Sequence, residues 1–145
     1  MSKIIFNKNN NTTLWLGDME NGQDELFLKQ NNIGTVFNIT PLSFIKYNNI
    51  TYFQIPLNDS DSHKSIKKFI NSISVIDDIN DQLINTNVLV HCQMGMQRSA
   101  AIIVAYLMKY YDMNMDKGID YVISKRSIAF KYRVTFLEGL CALDN

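Results

Sequence analysis

The 145-residue chain lacks several features that mark particular classes of protein. It has only two cysteines, Cys92 and Cys141, and the residues around them differ. A secreted protein held together by disulfides carries more cysteines in a shorter chain, so this class is excluded. Basic and acidic residues number 14 each, so the chain lacks the positive field of a nucleic-acid-binding protein. Its longest apolar run, residues 100–108, is too short to cross a bilayer, and no signal-like segment opens the chain. We therefore expect an intracellular, cytoplasmic protein with neither a nucleic-acid nor a membrane partner.

The chain does have enough apolar residues, 46% of the total, to build one core, and we expect a single domain over residues 1–145. Runs typical of strands cover residues 13–16, 34–39, 50–56 and 87–90. Segments predicted as helices cover residues 25–29, 66–79, 99–111, 115–124 and 134–143. This alternation predicts an α/β fold with a mostly parallel central sheet flanked by helices, whose ligands bind at the carboxyl ends of strands.

Two smaller expectations concern the ends of these helices. Asp61 or Ser62 is placed to cap the helix that contains residues 66–79, because short polar side chains accept hydrogen bonds at that position. Cys141 shares an apolar helix face with Leu137 and Leu140, so we expect it to be a buried small hydrophobic residue.

The loop that follows the strand at residues 87–90 has the composition of a phosphate site. Gly95 at its middle can take a positive φ, which lets the loop turn sharply and point its N–H groups inward above a helix N-terminus. Arg98 adds a planar charged group that binds two phosphate oxygens side by side. The residues expected to bind phosphate are Gln93, Met94, Gly95, Met96, Gln97 and Arg98.

The same positive field favours a thiolate at Cys92, since a helix N-terminus can lower a thiol pKa from about 8.5 to between ~3.5 and 7.5. We expect the thiolate to attack phosphorus and form a phosphocysteine that water hydrolyses. Ser99 is positioned to donate its hydroxyl to the sulfur. This chemistry requires no metal and no cofactor.

A general acid must protonate the leaving group, and residues 56–62 supply two candidates. Asp59 follows a strand and precedes a helix, so its loop can hang over the pocket. Asp61 is the alternative. We favour Asp59 because Asp61 is the better placed of the two to cap the helix.

His91 to Ser99 read His-Cys, five residues, Arg, Ser, which is the signature of the protein tyrosine phosphatase superfamily, and the chain resembles its dual-specificity branch. The resemblance extends to residues 14–18, 33–40, 55–59 and 105–108. It implies a protein tyrosine phosphatase-like fold, with Cys92 as nucleophile, Arg98 as phosphate binder, Asp59 as general acid and Ser99 assisting phosphoenzyme breakdown. It also implies that His91 braces the loop by hydrogen bonding.

The resemblance further implies substrates. The chain is too short for the loops that build a deep phosphotyrosine pocket in tyrosine-specific members, so we expect it to hydrolyse phosphotyrosine and phosphoserine/threonine in phosphorylated proteins, including kinases or signalling factors. Gln97 resembles the Asn of poxvirus-type members, which adds a virion to the expected locations, beside cytoplasm and nucleus. The stretch 126–133 lacks the Pro-Asn pair of many members.

Two other functions remain open. Some superfamily members are RNA 5′-triphosphatases, but these add basic and aromatic residues around the pocket, which Met94 and Met96 do not supply. Others are catalytically silent phosphoprotein-binding modules, which lose the nucleophile or the arginine, whereas this chain keeps Cys92, Arg98, Ser99 and Asp59. The physiological substrate and the oligomeric state are left open.

Overall fold

The computed structural model describes residues 1–144 and contains a five-stranded sheet in the order β1-β2-β5-β3-β4. The strands are β1 (Ser2–Asn7), β2 (Thr12–Gly17), β3 (Ile33–Asn38), β4 (Thr51–Gln54) and β5 (Asn87–His91). Strands β2 and β3 both pair in parallel with β5, and β4 pairs in parallel with β3, whereas β1 runs antiparallel to β2. The predicted α/β fold with a mostly parallel sheet is confirmed, with β5 at its centre.

Strand β1 lies in a segment for which no element was predicted. It forms a hairpin with β2 at the edge of the sheet, and the connection is built from asparagines. The side chain of Asn7 accepts hydrogen bonds from the N–H groups of Asn9 and Asn10, and Asn11 has a φ of 58°. Asparagine is suited to both tasks, because its side chain mimics a backbone turn and it tolerates the left-handed region.

Seven helices surround the sheet within residues 1–144. They are α1 (Met19–Gln23), α2 (Glu25–Gln30), α3 (His63–Asn71), α4 (Val75–Gln82), α5 (Arg98–Tyr110), α6 (Met115–Lys125) and α7 (Leu137–Leu143). The helix predicted through residues 66–79 is therefore two helices, α3 and α4, and α3 ends with Ser72 as its C-cap. Of the two residues expected to cap α3, Asp61 and Ser62, Ser62 is the N-cap, and its Oγ accepts a hydrogen bond from Ser65 N–H at 3.2 Å.

The expectation for Cys141 was also wrong, since this residue is exposed. Helix α7 begins at Leu137 and buries Gly139 and Leu140. One residue further along a helix, a side chain has rotated by about 100°, so Cys141 turns away from the core.

The core has two parts because successive residues of a strand face opposite sides of the sheet. On β5, Val88 and Val90 belong to the larger cluster, with α3 to α7, while Leu89 packs on the other face with Trp15 and Leu28. Helix α5 is buried from Arg98 to Leu107, which explains why its sequence is apolar on every side. Within residues 1–144, no helix has the length and apolar content needed to cross a membrane.

Candidate active site

The loop between β5 and α5 lies at the carboxyl end of the central strand. Its sharp turn depends on Gly95, which has a φ of 68°. A Cβ atom at this position would lie 2.5 Å from the carbonyl oxygen of Gly17, so both the backbone angle and the available space require glycine.

Arg126, at the end of α6, holds the outer side of this loop. Its Nε donates to the Gly95 carbonyl at 2.9 Å, and its Nη2 donates to the Met94 carbonyl at 3.2 Å. Within one trans peptide unit the C=O and N–H groups point in opposite directions. The N–H groups of Gly95 and Met96 therefore point to the inner side of the loop, where Cys92 lies. Nothing in the sequence pattern indicated this contact.

Cys92 is 2% exposed, and its Sγ lies 3.0 Å from Ser99 Oγ. Burial acts to raise the pKa of the thiol. Hydrogen bonds from the hydroxyl and N–H of Ser99, the charge of Arg98 and the N–H of Gly95 act in the opposite direction and outweigh it. The net pKa lies below the ordinary value for cysteine, which favours the thiolate.

Arg98 is buried at the first position of α5 and borders the same cavity as Cys92. Its Nη1 donates to the carbonyl oxygen of Leu57 at 3.1 Å, which connects the loop after β4 to the start of α5. Its Nε is buried and has no hydrogen-bond partner among the described residues. An unpartnered cationic donor in a buried position is costly unless an anion binds to it.

His91 is 1% exposed, and its Nδ1 lies 3.1 Å from the Cys92 carbonyl oxygen. Burial lowers the pKa of the imidazole, and this effect outweighs the Cys92 hydrogen bond and the charge of Asp18, which raise it. The ring is therefore neutral at pH 7. Since a carbonyl oxygen only accepts, Nδ1 carries the proton and donates to the Cys92 carbonyl.

The two candidate acids differ in position. Asp59 borders the cavity, and its Oδ1 lies 3.8 Å from Arg133 Nη2. The buried Leu57 anchors this loop, and Arg98 bonds its carbonyl. Asp61 is exposed and is not part of the cavity wall. The geometry favours Asp59, although the reason given from the sequence, that Asp61 caps α3, does not hold.

The cavity has a volume of about 380 Å³ and combines three segments. Its walls are formed by Asp59, Cys92, Gln93, Met94, Met96, Gln97, Arg98, Lys131, Tyr132 and Arg133. The last three residues were not predicted. The available signal was the pair of basic residues around a tyrosine, in a stretch noted only for lacking a Pro-Asn pair.

No group of three or more His, Cys, Asp or Glu side chains suited to a metal ion occurs within residues 1–144. A larger cavity, of about 630 Å³, lies between α4, the end of α5 and the end of α7, and none of the candidate catalytic residues borders it.

Residues 14–145 match the family model described as "Dual specificity phosphatase, catalytic domain". The chain belongs to this family. The dual-specificity phosphatase resemblance is therefore confirmed over nearly the whole sequence.

Among curated relatives, dual specificity protein phosphatase 22 of Xenopus laevis is 31% identical over 129 residues, which cover 89% of this chain and 58% of that protein. Human dual specificity protein phosphatase 6 is 33% identical over 117 residues, which cover 79% of this chain and 30% of that protein. The chain therefore spans only part of the length of these dual-specificity phosphatases.

The fold agrees with this assignment. The crystal structure of human DUSP28 matches with a TM-score of 0.79 at 18% identity and covers 99% of this chain and 94% of its own. At that identity, the likeness concerns the dual-specificity phosphatase fold alone.

Proposed function

We propose that this chain hydrolyses phosphotyrosine and phosphoserine/threonine in proteins through a phosphocysteine intermediate at Cys92. The observation that carries the proposal is the buried Arg98, which has an unpartnered Nε and borders the same cavity as a thiol with a lowered pKa. A phosphate dianion in that cavity would satisfy the guanidinium and bring phosphorus to the sulfur. It would also accept hydrogen bonds from the inward N–H groups of the loop, at the N-terminus of α5.

In the first step, the Cys92 thiolate attacks phosphorus, an S–P bond forms and the P–O bond to the substrate breaks. Asp59 donates a proton to the departing oxygen, so an alcohol or phenol leaves rather than an anion. Arg98 binds the equatorial oxygens, on which charge accumulates in the transition state.

In the second step, water attacks the phosphocysteine, the S–P bond breaks, and inorganic phosphate and the thiolate are released. Asp59, now a carboxylate, accepts the proton from the water. Ser99, with its Oγ 3.0 Å from Sγ, donates a hydrogen bond to the sulfur as it leaves. We propose that His91 supports both steps by holding the carbonyl of Cys92.

Turnover of p-nitrophenyl phosphate tests the proposal. Wild-type protein is expected to hydrolyse it, and Cys92→Ser is expected to be inactive because a serine hydroxyl stays protonated at neutral pH. Cys141→Ser is the matched control, since the second cysteine is exposed and does not border the cavity. Undiminished turnover by Cys92→Ser would remove the proposed nucleophile.

The RNA 5′-triphosphatase function remains a second candidate for one reason. The absence of basic and aromatic residues at Met94 and Met96 argued against the RNA function, but the pocket wall contains residues of both kinds in Lys131, Tyr132 and Arg133. Phosphate release from triphosphate-ended RNA, compared with release from phosphopeptides at equal enzyme concentration, distinguishes the two functions. A faster reaction with RNA would favour the second candidate.

A further inference from the structure

We propose that Lys131 and Arg133 form a subsite for a second anionic group of a phosphopeptide substrate, beside the phosphate that reacts at Cys92. The inference rests on the proposed function and names a feature of the substrate. The second group is a carboxylate of Asp or Glu, or a second phosphate. Both residues border the cavity that contains Cys92 and Arg98.

The segment that carries these cations is attached to the catalytic loop at both ends. Phe130 N–H donates to the Met96 carbonyl at 2.8 Å. The buried side chain of Gln97 donates to the Arg133 carbonyl at 2.7 Å and accepts from Thr135 N–H at 3.0 Å. The position of the segment is therefore coupled to the position of the phosphate-binding loop, and Gln97 is the positioning residue that couples them.

The backbone of this segment is unusual at two bulky residues. Phe130 and Tyr132 have φ values of 58° and 75°, in the left-handed region that bulky residues avoid. Such conformations persist where the surrounding contacts enforce them, and they concentrate at functional sites. Phe130 is buried, whereas Tyr132 is 90% exposed at the mouth of the cavity, between Lys131 and Arg133 in the sequence.

One of the two cations at the mouth, Lys131, has no acidic partner in the described part of the chain. Arg133 is paired with Asp59 at 3.8 Å, whereas Lys131 makes no ion pair with any residue in 1–144. The Nζ of Lys131 lies 5.4 Å from the centre of the Tyr132 ring, a cation-π contact that keeps the amine near the mouth. The reacting phosphate is matched by Arg98 and the loop N–H groups, so the charge of Lys131 is available to another group.

A peptide fits this surface better than RNA does. RNA binding relies on several cations that follow the backbone, whereas this chain has a net charge of zero and two exposed cations at the mouth. Met94 also borders the mouth and is 60% exposed, a surface suited to an apolar peptide side chain.

The test follows dephosphorylation of a phosphotyrosine, through the change in tyrosine absorbance, and compares kcat/KM for three peptides that differ at one position next to it: Glu, Gln and phosphoserine. An exposed ion pair contributes up to about 1 kcal/mol, which corresponds to roughly a 5-fold preference for Glu over Gln in the wild type. Lys131→Gln is expected to reduce this ratio at least 2-fold, as is raising the salt concentration. Lys117→Gln, at an exposed lysine of α6 outside the cavity, is the control and is expected to keep the wild-type ratio.

The outcomes are distinguishable. A preference shared by the Glu and phosphoserine peptides identifies charge as the recognised property, and one confined to phosphoserine identifies phosphate; both support the subsite. Equal kcat/KM for all three peptides, or a ratio that survives Lys131→Gln, overturns it. Loss of RNA triphosphatase activity in Lys131→Gln together with a flat peptide ratio also overturns it. Absence of wild-type turnover of p-nitrophenyl phosphate, which has no second anionic group, would instead refute the proposed function.

Discussion

Ser99→Ala tests the electrostatics of this site, because it removes a hydrogen bond to Cys92 while it changes the volume of the side chain very little. It removes one hydroxyl from a fully buried position and leaves Arg98 and the N–H groups of the loop in place. The hydroxyl lies 3.0 Å from the Cys92 sulfur, and it is the largest of the groups that lower the pKa of that thiol.

The magnitude follows from this contact. A hydrogen bond to a charged group contributes about 1.5–3 kcal/mol, so removing it should destabilise the thiolate relative to the thiol by about this amount and raise the pKa of Cys92. The sign is fixed, because the hydroxyl stabilises the thiolate and not the thiol. Without the hydroxyl, fewer groups counteract burial, which raises the pKa of Cys92.

Alkylation of Cys92 by iodoacetamide across a range of pH measures this directly, since only the thiolate reacts. We expect the midpoint for Ser99→Ala to move to higher pH, and the acid limb of kcat/KM for p-nitrophenyl phosphate to move with it. A burst of p-nitrophenol should also appear, because the sulfur becomes a poorer leaving group in the second step. Ser124→Ala, on the exposed side of α6, serves as the control. An alkylation midpoint unchanged from the wild type would refute the reasoning.

Three further predictions concern the residues around Cys92. Asp59→Asn should slow the hydrolysis of alkyl phosphates about 10²-fold or more but affect activated aryl phosphates far less, whereas Asp61→Asn should change neither; a larger effect at Asp61 would move the acid there. Gly95→Ala should lower the free energy of unfolding by about 1–3 kcal/mol, because Gly95 has a positive φ and the added Cβ would lie 2.5 Å from the Gly17 carbonyl oxygen. Thermal unfolding measures this effect. An unchanged Tm would contradict it and show that the loop relaxes. Gln97→Ala should lower the free energy of unfolding, measured in urea, by about 1–3 kcal/mol, because it leaves the buried Thr135 N–H and the Arg133 carbonyl without partners. It should also lower kcat/KM for phosphopeptides. Wild-type values of both quantities would contradict the coupling between the β5–α5 loop and the segment 130–135.

The grouping of side chains in the loop between β5 and α5 could be predicted because it is local in sequence. Cys92, Arg98 and Ser99 lie within one turn and the first residues of one helix, so their spacing alone brings them together. The central strand of the parallel sheet was predictable for a similar reason. Residues 88–91 are a short, continuously buried run, and a buried run of this length is typical of a strand and too short for a helix.

Other features depended on contacts between distant segments. The break between α3 and α4 is hidden because apolar residues continue at helical spacing through Ile73. Strand β1 is half-exposed at an edge, so its pattern is weak. The position of Lys131 at the site depends on hydrogen bonds that Gln97 makes to residues 36 and 38 positions away, which no local pattern encodes.

The central claim is that Cys92 carries the phosphoryl group during turnover. The most direct measurement is mass spectrometry of protein quenched in acid during hydrolysis of p-nitrophenyl phosphate, using Ser99→Ala to slow breakdown of the intermediate. We predict one added phosphoryl group on the peptide that contains Cys92 and none on the peptide that contains Cys141. Steady turnover with no phosphoryl group on Cys92, or with the group on another residue, would contradict the claim.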